Sequence, residues 1–318
     1  MKKINRVAVI AIALVLFSCE DILEKDITND MVELISPINY EEIESNVVVF
    51  KWNNISDADK YRIQIFKTDK TKILDSLITK TNLTYPLPHG EYQWRVRAEN
   101  FAYQSSYSLQ ADFSIIESTD LSNQQIILKN PANNYYTKIT TLTCNWEALT
   151  MADYYEFELL NVTNGETVVF QETNITNPTF IINNTHLSAE AKYKWKVKGV
   201  NGTSETQFSI STFSIDRTNP NQPSNTIPAQ NAIFTTNQTI NFSWSILADI
   251  GAIQSPIKYI IEFSNDVNFA TIIQKNDAST ASFDIAFTAI GSYYWRIKAT
   301  DSAENSSIYS TPFKFIIK

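Results

Sequence analysis

The chain has 318 residues, a formal charge of −8, 43% hydrophobic residues and 19% charged residues. At about 100–200 residues per domain, this length indicates two or three domains, and the apolar fraction is too high for a disordered chain. With only two Cys and two His, the composition excludes a disulfide framework and argues against a His-rich metal site. The low count of six Gly argues against a glycine-rich phosphate-binding loop.

The first 18 residues have the features of a bacterial export signal. Three cations within the first six residues precede an unbroken apolar run of eleven residues, 7–17. A membrane-spanning helix needs about 20 apolar residues, so the run fits the h-region of a signal peptide. The run ends in Leu16-Phe17-Ser18-Cys19, which resembles the lipobox of bacterial lipoproteins. That resemblance implies cleavage before Cys19 and lipidation at Cys19; an ordinary signal peptide followed by a chance Cys is the alternative.

Residues 19–33 are predicted to be the lipidated Cys and an acidic tether. Five carboxylates follow Cys19 within eleven residues, and they are Glu20, Asp21, Glu24, Asp26 and Asp30. A solvated linker is one interpretation, since such stretches do not build a core. The stretch also resembles the surface-export signals of some Gram-negative lipoproteins, which implies the outer face of the outer membrane; the periplasmic face is the alternative. Removal of the three N-terminal cations changes the charge to −11 and argues against nucleic acid as a partner.

The six Trp reveal a repeat of about 97 residues. They form two interleaved series with spacings of 94 to 101, which are Trp52, Trp146 and Trp244, and Trp94, Trp195 and Trp295. A Pro lies 15 or 16 residues before each early Trp (Pro37, Pro131 and Pro228), and a Phe lies 18 or 19 residues after each late Trp (Phe113, Phe213 and Phe313). Each repeat thus has two Trp, and the sequence predicts three domains.

The periodicity inside each repeat is two. In Tyr92-Gln-Trp-Arg-Val-Arg-Ala, apolar and cationic residues alternate, as they do in Tyr193-Lys-Trp-Lys-Val-Lys-Gly and in Trp295-Arg-Ile-Lys-Ala, which two Tyr precede. This alternation predicts half-buried strands with one apolar face in a core and one cationic face in water. Short strands of this kind, separated by polar clusters, indicate β-sandwiches in which all six Trp are core residues.

These residues carry a family resemblance. An early strand with Trp, a Tyr-led middle strand such as Tyr61-Arg-Ile-Gln-Ile, and the late Tyr-x-Trp strand are similar to fibronectin type III domains, and Leu87 stands before Tyr92 much as a Leu precedes the tyrosine corner of that family. The resemblance implies an all-β chain of three tandem fibronectin type III/immunoglobulin-like sandwiches at 34–117, 125–216 and 224–318. An immunoglobulin domain is the competing fold, but Cys144 has no partner for an inter-sheet disulfide. Polar linkers are expected at 117–124 and 216–227, the second extended by Pro220 and Pro223.

The common catalytic and nucleotide-binding motifs are absent from the sequence, so no enzyme activity, cofactor or metal is expected. His89 and His186 are interpreted as turn residues and Cys144 as a small buried residue. Two stretches are candidate binding surfaces. One holds Phe101, Tyr103 and Tyr107, as ligand contacts, and the other is an insertion after Trp244 that holds Ile246, Leu247, Ile250 and Ile253, as a partner loop.

The sequence therefore predicts a non-catalytic binding or spacer module on a lipid anchor in the outer membrane, built as a monomeric rod. Glycan, within a nutrient-acquisition assembly, and a surface protein are the two ligand classes it suggests. A structural or adhesive protein that makes only protein contacts is the alternative.

Overall fold

The computed structural model describes residues 24–318, which form 24 β-strands and no helix. The predicted signal peptide and Cys19 lie outside the described residues. Within residues 24–318, no helix is long and apolar enough to span a membrane. The chain divides into two compact units, one extending to Ile43 and including Val47–Ile116, the other comprising Glu44–Asn46 and Glu117–Lys318. The first sandwich lies in the first unit, and the second and third sandwiches lie in the second.

The first sandwich packs a three-stranded sheet against a five-stranded one. The small sheet consists of β1 (Leu34–Ser36), β3 (Val47–Trp52) and β6 (Asn82–Pro86), in the order β1-β3-β6. The large sheet consists of β2 (Glu41–Ile43), β4 (Lys60–Lys67), β5 (Lys72–Ile78), β7 (Gly90–Glu99) and β8 (Ala111–Ile115), in the order β2-β8-β7-β4-β5. Only β2 and β8 pair in parallel.

The second sandwich repeats this arrangement. Its small sheet consists of β9 (Leu128–Asn130), β11 (Leu142–Trp146) and β14 (Thr179–Ile182), in the order β9-β11-β14. Its large sheet consists of β10 (Tyr135–Thr137), β12 (Tyr154–Asn161), β13 (Thr167–Ile175), β15 (Ala191–Val200) and β16 (Ser209–Ile215), in the order β10-β16-β15-β12-β13.

The third sandwich has the same order again. Its small sheet consists of β17 (Ser224–Ile227), β19 (Thr239–Ser245) and β22 (Ser282–Ala286), in the order β17-β19-β22. Its large sheet consists of β18 (Ala232–Phe234), β20 (Ile257–Ser264), β21 (Gln274–Ala278), β23 (Gly291–Asp301) and β24 (Phe313–Ile317), in the order β18-β24-β23-β20-β21.

The strand order distinguishes the two candidate folds. In constant-type immunoglobulin domains, strand D, which lies between strands C and E along the chain, pairs with strand E in the ABED sheet. Here β5, β13 and β21, which take that place along the chain, pair instead with β4, β12 and β20 in the large sheet. Each sandwich also has a tyrosine corner, in which Tyr92, Tyr193 and Tyr293 donate hydrogen bonds of 2.8, 3.0 and 2.9 Å to carbonyls four residues earlier. Residues 24–318 are therefore all-β and form three tandem sandwiches with the fibronectin type III fold.

The late strand is central in each large sheet. Along β7, Tyr92, Trp94, Val96 and Ala98 are buried while the residues between them are half-buried, so the predicted period of two is confirmed. All six Trp are at most 4% exposed, which confirms their assignment to the cores. The Pro landmarks Pro37, Pro131 and Pro228 lie between the first two strands of each sandwich, where the chain passes from the small sheet to the large one, and each follows a cis peptide bond.

Two landmarks of the third repeat differ from the sequence interpretation. Tyr293, which the pattern treats as an extra aromatic, is the buried corner residue, because it shares a strand face with Trp295. Phe315 stacks on Tyr293 at 5.4 Å, as Phe113 stacks on Tyr92 in the first repeat. Phe315 rather than Phe313 is therefore the counterpart of Phe113, since Phe313 is only partly buried.

Residues 24–33 are part of the first sandwich rather than a solvated tether. Ile27 and Val32 are 0% and 2% exposed and belong to the core of that sandwich. Asn53 supports the same stretch, because its backbone N–H donates to the carbonyl of Glu33 at 2.9 Å. The sequence hid this role, since the two apolar side chains that enter the core lie in a stretch rich in carboxylates and are separated by Thr28, Asn29, Asp30 and the exposed Met31.

Replacement of Trp94 by Ala tests the core assignment. Trp94 is fully buried, and its indole N–H donates to the Pro37 carbonyl at 3.0 Å. Large-to-small core substitutions of this kind cost about 3–5 kcal/mol. We expect the unfolding midpoint of the first sandwich in urea to fall strongly. Leu109→Ala, at a side chain that is 80% exposed, is the control, and equal midpoints for the two variants would contradict the assignment.

Candidate functional site

The turn that follows β7 is held by one asparagine. The side-chain oxygen of Asn100 accepts hydrogen bonds from the backbone N–H groups of Ala102 and Tyr103, at 3.2 and 2.7 Å. Its side-chain nitrogen donates to the carbonyls of Lys25 and Asp57, at 2.9 and 3.2 Å. Residues 100–103 therefore form a closed turn, named here the Asn100 turn, which is bonded to the N-terminal segment of the sandwich and to the loop after β3.

The Asn100 turn presents two of the three candidate aromatic residues. Phe101 is 93% exposed and Tyr103 is 36% exposed. Tyr107 lies elsewhere, because its ring covers the guanidinium groups of Arg95 and Arg97 at 4.2 and 5.0 Å on the outer face of the large sheet. The structure thus brings Phe101 and Tyr103 together and places Tyr107 on the sheet face, where it packs as a cation–π partner.

The cationic faces of the late strands are covered and paired in all three sandwiches. Phe208 lies over Lys196 at 4.3 Å, and Tyr309 lies over Arg296 at 3.8 Å. The same cations form ion pairs, such as Lys196 with Glu158 at 2.6 Å and Arg296 with Glu262 at 2.8 Å. These faces are therefore not free basic surfaces, and the predicted cationic face in water is in fact half-buried.

Tyr309 shows the electrostatic effect of this arrangement. Its phenol donates a hydrogen bond of 2.8 Å to the buried carboxylate of Glu262. Burial, together with this bond to a carboxylate, raises the pKa of Tyr309 to about 12. The phenol thus stays protonated and serves as a donor that supports the Glu262–Arg296 pair.

The turn residue of the first sandwich has counterparts in the other two, which sequence reasoning missed. Asn201 donates to the carbonyls of Thr119 and Met151 at 2.9 and 3.1 Å, so it ties the segment 117–124 to the second sandwich. In the third, Asp301 accepts from the N–H groups of Ala303 and Asn305 at 2.9 and 2.8 Å. The available signal was a short polar side chain at the end of each late strand, at positions 100, 201 and 301.

A buried carboxylate packs the start of the segment between the second and third sandwiches into the fold. Asp216 is fully buried, and its side chain accepts from the backbone N–H of Ser255 at 3.1 Å. Asn305 donates both to the Asp216 carbonyl, at 2.9 Å, and to the Asp301 carboxylate, at 2.8 Å. Burial raises the pKa of Asp216. The expected extended linker 216–227 is therefore packed at its start, and Pro220 and Pro223 are also buried.

The insertion of the third repeat lies beside this segment. A Cβ added to Gly251 would meet the Ile253 carbonyl oxygen at 2.8 Å and the Thr218 Cβ at 3.0 Å, so the loop approaches the segment as closely as a glycine permits. Asn221 donates to the Ala248 carbonyl at 2.6 Å. Of the candidate partner residues, Ile253 is half-buried, whereas Ile246, Leu247 and Ile250 are 41%, 69% and 78% exposed.

Cys144 and His186 are packed against neighbouring side chains. Cys144 is fully buried as expected, and burial raises the pKa of its thiol. His186 lies against the Phe170 ring, with ring centroids 4.2 Å apart, in a turn. In residues 24–318, no group of three or more His, Cys, Asp or Glu is placed to hold a metal ion.

No family model and no curated protein matches the sequence. Solved fibronectin type III structures are similar to it at low identity. The FN1-FN3 domains of chicken CNTN1 are 17% identical, with 88% of this chain and 97% of that chain covered and a TM-score of 0.40. Fibronectin(III)-like modules of Clostridium thermocellum CbhA are 14% identical, with 61% and 93% covered and a TM-score of 0.38. A two-domain fibronectin type III segment of chicken tenascin is 16% identical, with 57% and 97% covered and a TM-score of 0.23.

Replacement of Asn305 by Ala tests the packed segment. The change leaves the Asp216 carbonyl and the Asp301 carboxylate without their shared donor, and buried polar groups of this kind cost about 1–3 kcal/mol when unpaired. We expect faster hydrogen exchange at the Ser255 amide and a lower unfolding midpoint for the second unit. Ile308→Ala, at a side chain that is 70% exposed, should change neither, and unchanged Ser255 exchange in the Asn305 variant would contradict the role.

Proposed function

We propose that this protein is an outer-membrane lipoprotein, anchored through Cys19 and facing the cell surface, whose three sandwiches act as a non-catalytic binding or spacer module. The assignment as a binding or spacer module rests on the positions of the Trp, Tyr, Phe and Cys side chains in the fold. The six Trp, the three corner Tyr and Cys144 are buried in cores. Tyr107, Phe208 and Tyr309 cover cations on the sheet faces. The fold is typical of binding, spacer and adhesive modules, and its function depends on what the remaining exposed residues contact.

Two of the exposed surfaces support ligand binding, and they favour different classes of ligand. Phe101 and Tyr103 lie on one turn and support glycan binding, since exposed aromatic rings stack on sugars. Leu247 and Ile250 form an exposed apolar stretch on a loop with a fixed base, which favours a protein partner. A structural or adhesive protein that makes only protein contacts is therefore the second candidate.

The anchor is tested by expressing the full chain in a lipoprotein-processing bacterium beside Cys19→Ser. We expect the parent to partition with the outer membrane and its intact mass to correspond to cleavage before Cys19 plus acyl chains. The variant should lose both properties. Proteolysis of intact cells then reports the face: digestion of the parent supports surface exposure, and protection would place it on the periplasmic face.

The ligand class is tested on a glycan array and in a pull-down from outer membranes. Phe101→Ala and Tyr103→Ala should weaken glycan binding and leave protein capture unchanged, while Leu247→Asp with Ile250→Asp should do the reverse. Tyr107→Ala is the matched aromatic control, because Tyr107 lies on the sheet face. Loss of glycan binding in the Tyr107 variant alone would contradict the assignment of the turn.

A further inference from the structure

The Asn100 turn lies where the polypeptide enters the first sandwich. The Asn100 side chain donates to the Lys25 carbonyl at 2.9 Å, and the Lys25 ammonium pairs with the Asp57 carboxylate at 3.1 Å. The next residue after Asn100 is Phe101, whose side chain is 93% exposed. The most exposed aromatic ring of the first sandwich is thus fixed next to the first residues of the chain that the structure describes.

The distance from this point to the proposed anchor is short. Lys25 comes six residues after Cys19, and a fully extended chain covers at most about 3.6 Å per residue, or about 20 Å in all. Because residues 24–33 are packed into the sandwich, they add no free length to the connection. A lipid on Cys19 would therefore hold the end of the sandwich that carries the Asn100 turn within about 20 Å of the bilayer surface.

We infer that Phe101 inserts into the headgroup region of the bilayer and orients the first sandwich with its Asn100 turn toward the membrane. This inference rests on the proposed anchor at Cys19, and it assigns Phe101 to the bilayer in place of a glycan, so the vesicle experiment and the glycan array distinguish two alternative roles of this ring. Aromatic side chains favour the membrane–water interface, where an apolar ring is removed from water. The acyl chains supply the affinity, and Phe101 supplies a second point of contact that restricts rotation about the tether.

The charges around the turn determine which lipid surface fits. The Lys25 ammonium is neutralised by Asp57, and Asp26, whose carboxylate accepts hydrogen bonds from Thr28, is exposed. Hydrogen bonds from Thr28 lower the pKa of Asp26, so its carboxylate stays ionised at neutral pH. The surroundings of Phe101 are therefore neutral to negative, and the turn fits a zwitterionic phospholipid surface better than an anionic one.

The experiment places a fluorophore beside Phe101 without removing the ring. Ala102→Cys in the full-length lipidated protein is labelled with a polarity-sensitive dye and reconstituted into phosphatidylcholine vesicles. Cys144 does not compete for the label because it is fully buried, and the Cys19 thiol is acylated. Gly202→Cys is the matched control, since Gly202 occupies the equivalent turn of the second sandwich and nothing lies within 4 Å of an added Cβ.

We expect the dye at position 102 to emit at shorter wavelength on vesicles and to be quenched by lipids brominated on the acyl chain, with no change at position 202. Phe101→Ser in the Ala102→Cys background should abolish the shift while the protein still floats with the vesicles. A shift that survives Phe101→Ser, or water-like emission from floating, lipidated protein, overturns the inference and leaves the anchor intact. A protein whose intact mass lacks acyl chains, and which does not float, overturns both the inference and the anchor.

Discussion

Each sandwich depends on the burial of one tryptophan at the centre of its large sheet. Trp94, Trp195 and Trp295 are fully buried on strands that are paired on both sides. Phe50 contacts Trp94 across the two sheets with ring centroids 5.0 Å apart, and Phe242 contacts Trp295 at 5.1 Å. Because an aromatic side chain of this size buries about 150–250 Å², the two sheets have to close over it. The strict alternation along the late strand follows from this constraint, since a shift of one residue would expose the indole.

The central late strand also has backbone N–H groups that need hydrogen-bond partners outside the neighbouring strands. Strand β8 pairs with β7 only over Gly90–Trp94, so the N–H groups further along β7 need other partners. A hydroxyl side chain from the returning segment supplies them: the backbone N–H groups of Ala98, Gly199 and Ala299 donate to Ser105, Thr206 and Ser307 at 3.0, 3.1 and 2.9 Å. Buried N–H groups are costly when unpaired, so a small hydroxyl residue recurs there in all three repeats. The segment that carries these hydroxyls is the one that closes the Asn100 turn and its counterparts.

The sequence predicts features that depend on strand periodicity and misses those that depend on single polar side chains. The Trp spacing and the alternation in β7, β15 and β23 predicted three sandwiches, because both follow from one buried face per strand. The packing of Ile27 and Val32 was hidden by neighbouring carboxylates, and the role of Asp216 was hidden by a polar, proline-containing stretch that resembles a linker. The carboxylate of Asp216 is stabilised by a distant N–H, that of Ser255, and such a contact leaves no periodic signal. The position of Tyr107 over Arg95 was equally hidden, since a tyrosine after a strand fits a loop and a sheet face alike.

The three equivalent turns show how function can differ among repeats that share a fold. Asn100 and Asn201 each bond their turn to neighbouring backbone, and in the third turn Asn305, which also donates to Asp301, bonds to the Asp216 carbonyl. The residue that follows Asn100, Asn201 or Asp301 therefore does not determine the turn geometry. That next residue is Phe101 in the first turn, Gly202 in the second and Ser302 in the third. None of these side chains is needed by the core, because all three are exposed. A ring at position 101 changes the stability of the fold little. Its exposure to water is unfavourable, and a surface that covered the ring would remove this cost. Asn100 donates to the Lys25 carbonyl, so the surface that covers Phe101 is expected at the end of the first sandwich where the described residues begin.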